Sequence, residues 1–374
     1  MDKIIISAGL SFLITFFAIP IIIQIAKEKK LFDEPNQRKI HKIVIPTLGG
    51  LGIYAGFVIA MLIFVPFYSA SCFQYYIASS LVIFFLGLKD DILVLSPTKK
   101  FLGQVIAAWI LFRFGGVQLN NMHGLFGIYQ IPTGAATVLS IFTIVVITNS
   151  FNLIDGVDGL AGSLGIFTTT IFGTYFWING QTAHAIMAFT LTGSLISFLI
   201  YNFPPAKIFM GDTGSLLVGL MNAILVIRFI NFADSSAIPY PVSSTPALGF
   251  AILLIPLFDT LRVFSIRIFS RRSPFSPDRN HIHHLLLDMG MSHRQTTLTC
   301  LSASVVFLVI SYMLQGLGAT MLLSILFVIS LLIIISLYYF KNQKKKSRAV
   351  AYSDTELAAS NKIFTLAHET VEVE

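Results

Sequence analysis

Charged residues are scarce in this chain: Asp, Glu, Lys and Arg make up 11% of its 374 residues, against about 25% in soluble domains. Hydrophobic residues make up 55%. Cysteine is almost absent, and Cys72 and Cys300 both fall on apolar segments or their edges. The composition excludes an ordinary soluble protein. It predicts an all-α polytopic integral membrane protein whose two thiols are core residues rather than a disulfide.

The long apolar runs predict about eleven transmembrane helices, because a helix needs about 20 apolar residues to cross a bilayer. The predicted spans are residues 4–26, 47–67, 73–95, 101–115, 135–153, 159–179, 183–202, 212–231, 245–269, 296–315 and 318–340. The first run is too long for a typical signal peptide and lacks a small-residue cleavage site, so we interpret it as a span. Residues 1–340 are predicted to form one transmembrane domain, and residues 341–374 a polar, basic tail.

The distribution of Lys and Arg predicts the orientation. The first loop, between Lys27 and Lys42, is rich in basic residues, so the positive-inside rule places it in the cytoplasm and the N-terminus outside. Alternation of eleven spans then leaves only Lys3, Arg113 and Arg228 outside and puts the C-terminus in the cytoplasm. The net charge of +7 is explained by this signal and by contact with anionic lipid, without nucleic acid.

The few carboxylates are placed unusually. Asp90, Asp91, Asp155, Asp158 and Asp212 each lie at the end of an apolar run, and alternation puts all of these ends on the cytoplasmic face. Ionised carboxylates are costly near hydrocarbon, so their repeated placement there indicates a functional site. We expect one charged cluster, built from separate helices, that acts on a charged substrate at the membrane surface.

Asp90 and Asp91 occupy the motif G-L-K-D-D at the end of the third span. Adjacent residues point about 100° apart on a helix, so the two carboxylates do not bind one ion as a pair. One could be a ligand or orienting group and the other a general base. The alternative is that both are solvated charges beside Lys89 at a helix end.

The motif N-S-F-N-L-I-D-G-V-D-G places Asn149, Asn152, Asp155 and Asp158 three residues apart. On a helix this period puts amides and carboxylates on one slowly winding stripe, while the glycines allow a turn or the close approach of a ligand. The Glu that completes an EF-hand loop is missing. The motif therefore favours a loop that binds a nucleotide or a metal ion.

Asp212, in F-M-G-D-T-G-S, opens the eighth span. A carboxylate at a helix start can accept hydrogen bonds from the free backbone amides of its own helix. It can also hold a magnesium ion that bridges protein and diphosphate, because Mg²⁺ prefers one or two carboxylates plus phosphate oxygens. Both interpretations stay open on this motif alone.

The last long loop contains P-D-R-N-H-I-H-H, with Arg279, His281, His283 and His284. Zinc is disfavoured, because there is no Cys partner and adjacent histidines are poorly spaced ligands. Cationic and hydrogen-bonding side chains suit phosphate and sugar hydroxyl groups better. We predict a binding loop for such groups.

The first long loop leads into a glycine-rich helix start, but the chain contains no P-loop motif. Positive-inside anchoring explains most of its basic residues. Only His41, Lys42 and Thr47 are candidates for a further role. No function is predicted for the isolated His123, His184 and His293.

In this order, the five motifs resemble those of the polyprenyl-phosphate N-acetylhexosamine-1-phosphate transferases, the family of MraY, WecA and TagO. The resemblance covers about residues 27–295 and is most specific at N-x-x-N-x-x-D-G-x-D-G-L and F-M-G-D-T-G-S. It implies transfer of a sugar 1-phosphate from a UDP-N-acetylhexosamine to undecaprenyl phosphate, with release of UMP. It also implies a multi-pass protein of the bacterial cytoplasmic (inner) membrane, with a cytoplasmic active site that initiates synthesis of a cell-envelope polysaccharide.

The resemblance implies residue roles by position. Asp212 would bind Mg²⁺, with Mn²⁺ as an alternative, and Asp90 would be the base or the nucleophile, with Asp91 beside it. Asp155 and Asp158 are further catalytic candidates. The implied uridine and diphosphate pocket is lined by Asn152, Asp155, Asp158 and Phe209, with Lys42 and Thr47 nearby, and Asn149 is a further substrate-binding candidate. The residues implied to hold sugar or phosphate are Arg279, His281, His283 and His284.

Two features of the sequence bear on the substrate. The family pattern D-D-x-x-D ends here in Val94, so the role of its third carboxylate is missing or filled elsewhere. The order H-I-H-H resembles the WecA and TagO branch, which implies UDP-N-acetylglucosamine or a close epimer rather than UDP-muramyl-pentapeptide. The pentapeptide substrate, a secondary transporter and an inactive scaffold stay as alternatives, although helix-end carboxylates and the lack of an inverted repeat disfavour a transporter. A homodimer is compatible with the sequence.

Overall fold

The computed structural model describes residues 1–29, 45–68, 70–271 and 281–343, and these residues are almost entirely helical. The helices are α1 (Asp2–Lys29), α2 (Gly49–Phe64), α3 (Cys72–Ile92), α4 (Pro97–Arg113), α5 (Thr133–Ile154), α6 (Leu160–Ile178), α7 (Thr182–Asn202), α8 (Gly211–Ala233), α9 (Thr245–Ile252), α10 (Leu254–Phe269), α11 (Ile282–Asp288), α12 (His293–Met313) and α13 (Ala319–Gln343). Gln315–Leu317 forms a 3₁₀ turn.

Within these residues, seven helices are long and apolar enough to cross a membrane, or up to eight if α9 and α10 form one bent span. The seven are α1, α3, α5, α7, α8, α12 and α13. The predicted count of eleven is not confirmed. The helix α2 is apolar but has only 16 residues, about 24 Å of helix against a hydrocarbon core of about 30 Å. The structure thus supports a polytopic membrane protein.

The predicted span over residues 245–269 is not one continuous helix. The axes of α9 and α10 differ in direction by 87°, with Leu253 between them. Pro256 has no backbone N–H to donate to the carbonyl of Ile252, one turn earlier, and its ring disfavours a straight helix through this point. The chain bends at the junction, and α10 runs in a new direction.

The prediction of an all-α chain also missed a short hairpin. Strand β1 (Asn121–Leu125) pairs with β2 (Ile128–Gln130) in an antiparallel ladder. The connection requires positive φ angles, with Phe126 at 54° and Gly127 at 75°. The backbone N–H of Phe126 donates to Oγ1 of Thr320, 2.6 Å away, so the hairpin is attached to the start of α13.

The most buried helix is α8, which packs against α2, α3, α5, α6 and α9. Two glycines allow its first turn to contact neighbouring backbones. A Cβ atom at Gly87 of α3 would lie 2.5 Å from Cα of Thr213, and one at Gly50 of α2 would lie 2.2 Å from the nitrogen of Gly214. Because no side chain fits in these contacts, the end of α3 and the starts of α2 and α8 meet backbone to backbone.

Candidate active site

Four polar side chains from four helices meet where α3 and α5 end and α8 begins; we call them the carboxylate cluster (Asp90, Lys100, Asn152 and Asp212). The ammonium of Lys100 lies 3.3 Å from Oδ2 of Asp90 and 3.2 Å from Oδ1 of Asn152, and it also bonds to Oδ2 of Asp212. The amide of Asn152 donates to Oδ1 of Asp212 at 2.7 Å. The structure thus brings together carboxylates from separate motifs, with one lysine among them.

Asp91 faces a different way from Asp90. Its two carboxylate oxygens accept from the backbone N–H groups of Asp212 (2.7 Å) and Thr213 (3.0 Å), and from the Thr213 hydroxyl (2.6 Å). Asp91 is therefore the N-terminal cap of α8, supplied by another helix. Of the two interpretations of Asp212, the structure does not support capping by its own side chain, because Asp91 takes that role.

Asp90 is held at the end of its helix. Its Oδ1 accepts from the backbone N–H of Leu95 at 2.6 Å, while its Oδ2 pairs with Lys100. The side chain is 16% exposed, so it is neither fully buried nor a freely solvated helix-end charge. One of the adjacent carboxylates thus bonds within the carboxylate cluster, whereas the other caps a helix.

The predicted stripe of Asn149, Asn152, Asp155 and Asp158 is only half helical. The helix α5 ends at Ile154, so both aspartates lie in the connection to α6 rather than on the helix. Asn149 pairs with Gln104 of α4 through two amide hydrogen bonds of 2.6 and 3.1 Å. The period of three therefore placed the two asparagines correctly, whereas the aspartates follow the geometry of a loop.

Asp155 is a partly buried carboxyl group at the centre of this loop. Burial raises its pKa well above the usual range, and the nearby carboxylates of Asp212, Asp91 and Asp158 raise it further. The loop therefore contains a carboxyl group that holds its proton more strongly than an ordinary aspartate.

Asp158 connects this loop to two other segments. Its Oδ2 accepts from the backbone N–H of Ala206 at 3.3 Å, and its Oδ1 lies 3.3 Å from Nδ1 of His293 at the start of α12. Its backbone carbonyl accepts from the hydroxyl of Thr297 at 3.0 Å. His293, for which the sequence predicted no function, thus faces the same site.

Thr47 and Phe209 are brought to the site by a short backbone pairing. The N–H of Phe209 donates to the carbonyl of Pro46 at 2.8 Å, and the N–H of Gly49 donates to the carbonyl of Phe209 at 2.9 Å. Gly211 has a φ of +70°, and a Cβ atom there would lie 2.1 Å from the carbonyl oxygen of Thr47. Only glycine fits between this segment and the start of α8.

The segment 281–284, which we call the histidine loop, begins with His281 and continues into α11, where His283 and His284 lie. It is held by a buried carboxylate from α10 that the sequence analysis did not identify. Oδ2 of Asp259 lies 2.8 Å from Nδ1 of His281, and its Oδ1 accepts from the backbone N–H of Ile282 at 2.9 Å. Arg262 donates to the same Oδ1 at 2.9 Å. Asp259 thus caps α11 and holds the first histidine at once.

His283 lies beneath this loop. Its side chain is buried, and the burial, together with the neighbouring His284, lowers its pKa to about 3. A Cβ atom at Gly156 would lie 2.4 Å from Nε2 of His283. The glycine after Asp155 therefore provides the space into which the histidine packs.

Two clefts share the wall formed by Asp90, Asn152 and Asp155. The first, which we call the apolar-walled cleft, has a volume of about 450 Å³ and is lined by Asp90, Val94, Leu95, Pro97, Lys100, Phe101, Gln104, Asn149, Asn152, Leu153, Asp155, Gly156, Phe264, Arg267, His281, His283 and His284. The second, the polar cleft, has a volume of about 560 Å³ and is lined by Thr47, Asp90, Asp91, Ile92, Val94, Asn152, Asp155, Gly156, Val157, Asp158, Asn202, Phe209, Gly211, Asp212 and His293. Two ligands can therefore meet at one set of carboxylates.

The predicted site residues fall into two groups. Those in the described part of the chain all line one or both clefts. Lys42 and Arg279 lie outside the described residues. Val94, at the last position of the family pattern D-D-x-x-D, lines both clefts and is 96% exposed. This position therefore supplies no carboxylate to the clefts.

The sequence analysis missed several residues that line or support the clefts: Lys100, Gln104, Asp259, Arg267 and His293. Lys100 was interpreted only as part of the orientation signal. A buried Asp and Arg within the apolar run 245–269 are costly there, and this cost was the available signal for Asp259 and Arg267.

The thiols of Cys72 and Cys300 are free, as predicted. Within the described ranges, no group of three or more His, Cys, Asp or Glu side chains is placed to hold a metal ion.

Fold and site together define a polytopic membrane protein whose polar site lies at the ends of its apolar helices and joins two clefts. The family model for glycosyl transferase family 4 matches residues 73–230, which include the carboxylate cluster. Over most of its length, the chain also resembles individual curated proteins.

A probable undecaprenyl-phosphate N-acetylglucosaminyl 1-phosphate transferase of Bacillus subtilis (strain 168) is 33% identical over 336 residues, which cover 89% of this chain and 90% of the relative. The undecaprenyl-phosphate alpha-N-acetylglucosaminyl 1-phosphate transferase of Escherichia coli (strain K12) is 32% identical over 277 residues, 73% of each chain. The corresponding protein of Salmonella typhimurium is 29% identical over 314 residues, 83% of this chain and 81% of the relative. The chain therefore belongs to glycosyl transferase family 4.

Proposed function

We propose that the protein transfers N-acetylglucosamine 1-phosphate from UDP-N-acetylglucosamine to undecaprenyl phosphate. An oxygen of the lipid phosphate forms a bond to the β-phosphorus of the nucleotide sugar, the bond from that phosphorus to the bridging oxygen breaks, and UMP leaves. The observation that supports this proposal most directly is the pair of clefts that share Asp90, Asn152 and Asp155. The printed names of the relatives give the two substrates.

The linings of the clefts suggest which substrate enters which. The polar cleft contains Asp158, His293 and the ring of Phe209, groups that suit a nucleotide. The apolar-walled cleft has Phe101 and Phe264 on its wall, next to the helix α10, whose terminal Phe269 is 88% exposed. We assign the uridine nucleotide to the polar cleft and the prenyl phosphate to the apolar-walled cleft.

Three hydrogen-bonding side chains have a clear task in this reaction. Two phosphates repel one another as they approach, and donors fixed in a partly dry cleft offset that repulsion in the transition state. Lys100 lies among the shared carboxylates, while Arg267 and His281 line the apolar-walled cleft. We assign them to the phosphate oxygens, and we assign Asp90, at the shared wall, to receive the proton of the lipid phosphate.

Oxygen donors of the carboxylate cluster also suit magnesium. Carboxylate oxygens of Asp90 and Asp212 and the amide oxygen of Asn152 already surround one positive charge, the ammonium of Lys100. Hard oxygen ligands of this kind, with phosphate oxygens, are what Mg²⁺ prefers. We propose Asp212 as the principal ligand; a bound Mg²⁺ would neutralise charge on the diphosphate.

The experiment is product formation by the purified protein with undecaprenyl phosphate and either UDP-N-acetylglucosamine or UDP-muramyl-pentapeptide, following UMP and the diphosphate-linked lipid. Parallel reactions contain Mg²⁺, Mn²⁺ or EDTA. We expect product with UDP-N-acetylglucosamine alone, and only when a divalent ion is present.

Other outcomes separate the alternatives. Product with the pentapeptide substrate alone would assign the protein to the other branch. Turnover in EDTA after dialysis would remove the metal assignment but not the reaction. Substrate movement into sealed vesicles without any lipid product would favour a transporter.

A further inference from the structure

Asp259 lies deep inside the protein, on the part of α10 that packs beneath the histidine loop, and only 1% of its surface is exposed. Its carboxylate accepts three hydrogen bonds, from the His281 ring (2.8 Å), the Ile282 backbone (2.9 Å) and Arg262 (2.9 Å). A buried carboxylate is costly unless it is fully paired. The position of Asp259 is therefore best explained by the three groups that it binds.

The contact with His281 fixes the chemistry of that ring. A carboxylate can only accept hydrogen bonds, so Nδ1 of His281, the nitrogen that faces Asp259, carries a proton. This leaves Nε2, on the other side of the ring, for other partners, and the His281 ring lines the apolar-walled cleft. The His283 ring stacks on it, with ring centres 5.4 Å apart and an interplanar angle of 6°. The orientation of the ring is therefore set from two sides.

The same carboxylate also fixes the backbone on which the histidine stands. The N–H of Ile282, in the first turn of α11, donates to Asp259, so the position of the helix and that of the His281 ring depend on one group. The side chain of His281, which stands at the N-cap position, makes no capping hydrogen bond of its own.

We propose that Asp259 is a positioning residue that acts through His281. It holds the imidazole through Nδ1–H, so that Nε2 faces the phosphate groups in the apolar-walled cleft and forms a hydrogen bond with them in the transition state. This inference rests on the proposed transfer reaction. It adds a role for a residue on α10 that contacts neither substrate.

The test is a double-mutant cycle of Asp259→Asn and His281→Gln, with kcat and KM measured for UDP-N-acetylglucosamine and for undecaprenyl phosphate. We expect Asp259→Asn to lower kcat about 10- to 100-fold, the same range as the loss when a partner that orients a metal-ligating histidine is removed. We expect KM for either substrate to change less than about threefold. The double variant should be no slower than His281→Gln alone, because Asp259 has no further effect once the ring is gone.

The matched control is Asp288→Asn at the other end of α11. Asp288 is exposed, and its partner among the described residues is Lys341 at 2.8 Å, so this variant should keep wild-type kcat. It tests whether any change of charge on this short helix disturbs the cleft. Thermal melting of every variant shows whether the fold is kept.

Each other outcome counts against the inference. Effects of the two substitutions that multiply in the double variant would show that Asp259 acts on the fold and not through His281. Wild-type kcat in either single variant would overturn it too, and His281→Gln gives this answer even if Asp259→Asn does not fold. A wild-type protein that forms no lipid product would overturn the proposed function, and this inference with it. An active wild type whose two substitutions have multiplying effects on kcat would overturn only this inference.

Discussion

Two regions of the site use the same device with different partners. In each, an aspartate on one helix accepts from backbone N–H groups at the start of another helix: Asp91 of α3 caps α8, and Asp259 of α10 caps α11. The further partner of Asp91 is a hydroxyl, that of Thr213, whereas Asp259 also bonds to an arginine and a histidine. Loss of Asp91 therefore leaves neutral N–H groups without an acceptor, and loss of Asp259 removes the carboxylate that faces an arginine and a histidine in the interior.

The two caps hold different parts of the protein in place. The cap at α8 fixes the backbone of Asp212, whose side chain then reaches Lys100 and Asn152. The cap at α11 fixes a side chain directly, the His281 ring. Backbone placement is thus the requirement at the carboxylate cluster, and ring orientation is the requirement at the histidine loop.

The largest effect is expected at Asp212, the residue that the first cap serves. Asp212→Ala should lower kcat about 1,000-fold or more, because it removes both a carboxylate for the proposed metal and the partner of Lys100. The readout is UMP release by the purified variant. Asp234→Ala, just after the same helix, is the control: Asp234 is exposed and pairs with His123, so near-normal turnover is expected there. Full activity of Asp212→Ala would remove the metal assignment.

The next effect is expected at the cap itself. Asp91→Ala leaves the N–H groups of Asp212 and Thr213 without their acceptor, and each hydrogen bond to a charged group contributes about 1.5–3 kcal/mol. We expect kcat to fall about 100-fold, because Asp212 moves. Asp91→Asn can still accept with one oxygen and should lose less. Equal loss in both variants would instead indicate that the charge of Asp91 takes part in the chemistry.

A smaller effect is expected where α3 touches α8. In Gly87→Ala the new methyl group would start 2.5 Å from Cα of Thr213, so the two helices must move apart. We expect about a tenfold lower kcat and a lower melting temperature. Gly9→Ala in α1 is the matched control, since nothing lies within 4 Å of a Cβ there. If the two variants behaved alike, close packing at the start of α8 would not be a requirement for activity.

The smallest effect concerns the stability of the histidine loop in acid. The pKa of His283 is lowered to about 3 by burial, so the folded protein keeps this ring neutral while the unfolded chain protonates it near pH 6.5. Its contribution to stability is therefore present above pH 6.5 and is lost as the pH falls towards 3. At pH 5 the loss is about 2 kcal/mol.

The measurement is the melting temperature of the wild type and of His283→Gln between pH 7.5 and 5. The wild type should lose more stability than the variant over this interval, and the difference between the two curves isolates this histidine from the other titrating groups. Parallel curves would show that His283 is protonated without cost, and hence that the loop opens readily.

The sequence predicted the site residues that lie within recognisable motifs. It did not identify residues whose role depends on contacts between separate helices. Spacing in N-x-x-N identified Asn149 and Asn152, because a helix converts a period of three into one face. The same spacing says nothing of the neighbouring helix, so Gln104 and Lys100, which bond to these asparagines, were not identified. Pairing between helices depends on which faces touch, and one sequence does not contain that information.

The fold was predicted to a similar depth. Apolar length identified the helical segments, but the predicted count of eleven spans is not confirmed, and one predicted span runs through the bend between α9 and α10. The signal for the bend was local: Pro256 within an apolar run. The hairpin at Asn121–Leu125 was missed because five residues beside two glycines carry too weak a pattern to separate from a loop.

The contact between Gly156 and His283 has a consequence for how such proteins diverge. The two positions are 127 residues apart in the chain, yet a Cβ atom at the first would lie 2.4 Å from Nε2 of the second. A larger residue at position 156 is compatible with this packing only if position 283 becomes smaller at the same time. We therefore expect the two positions to co-vary among related sequences. The residue size at position 156 would then predict the residue size at position 283.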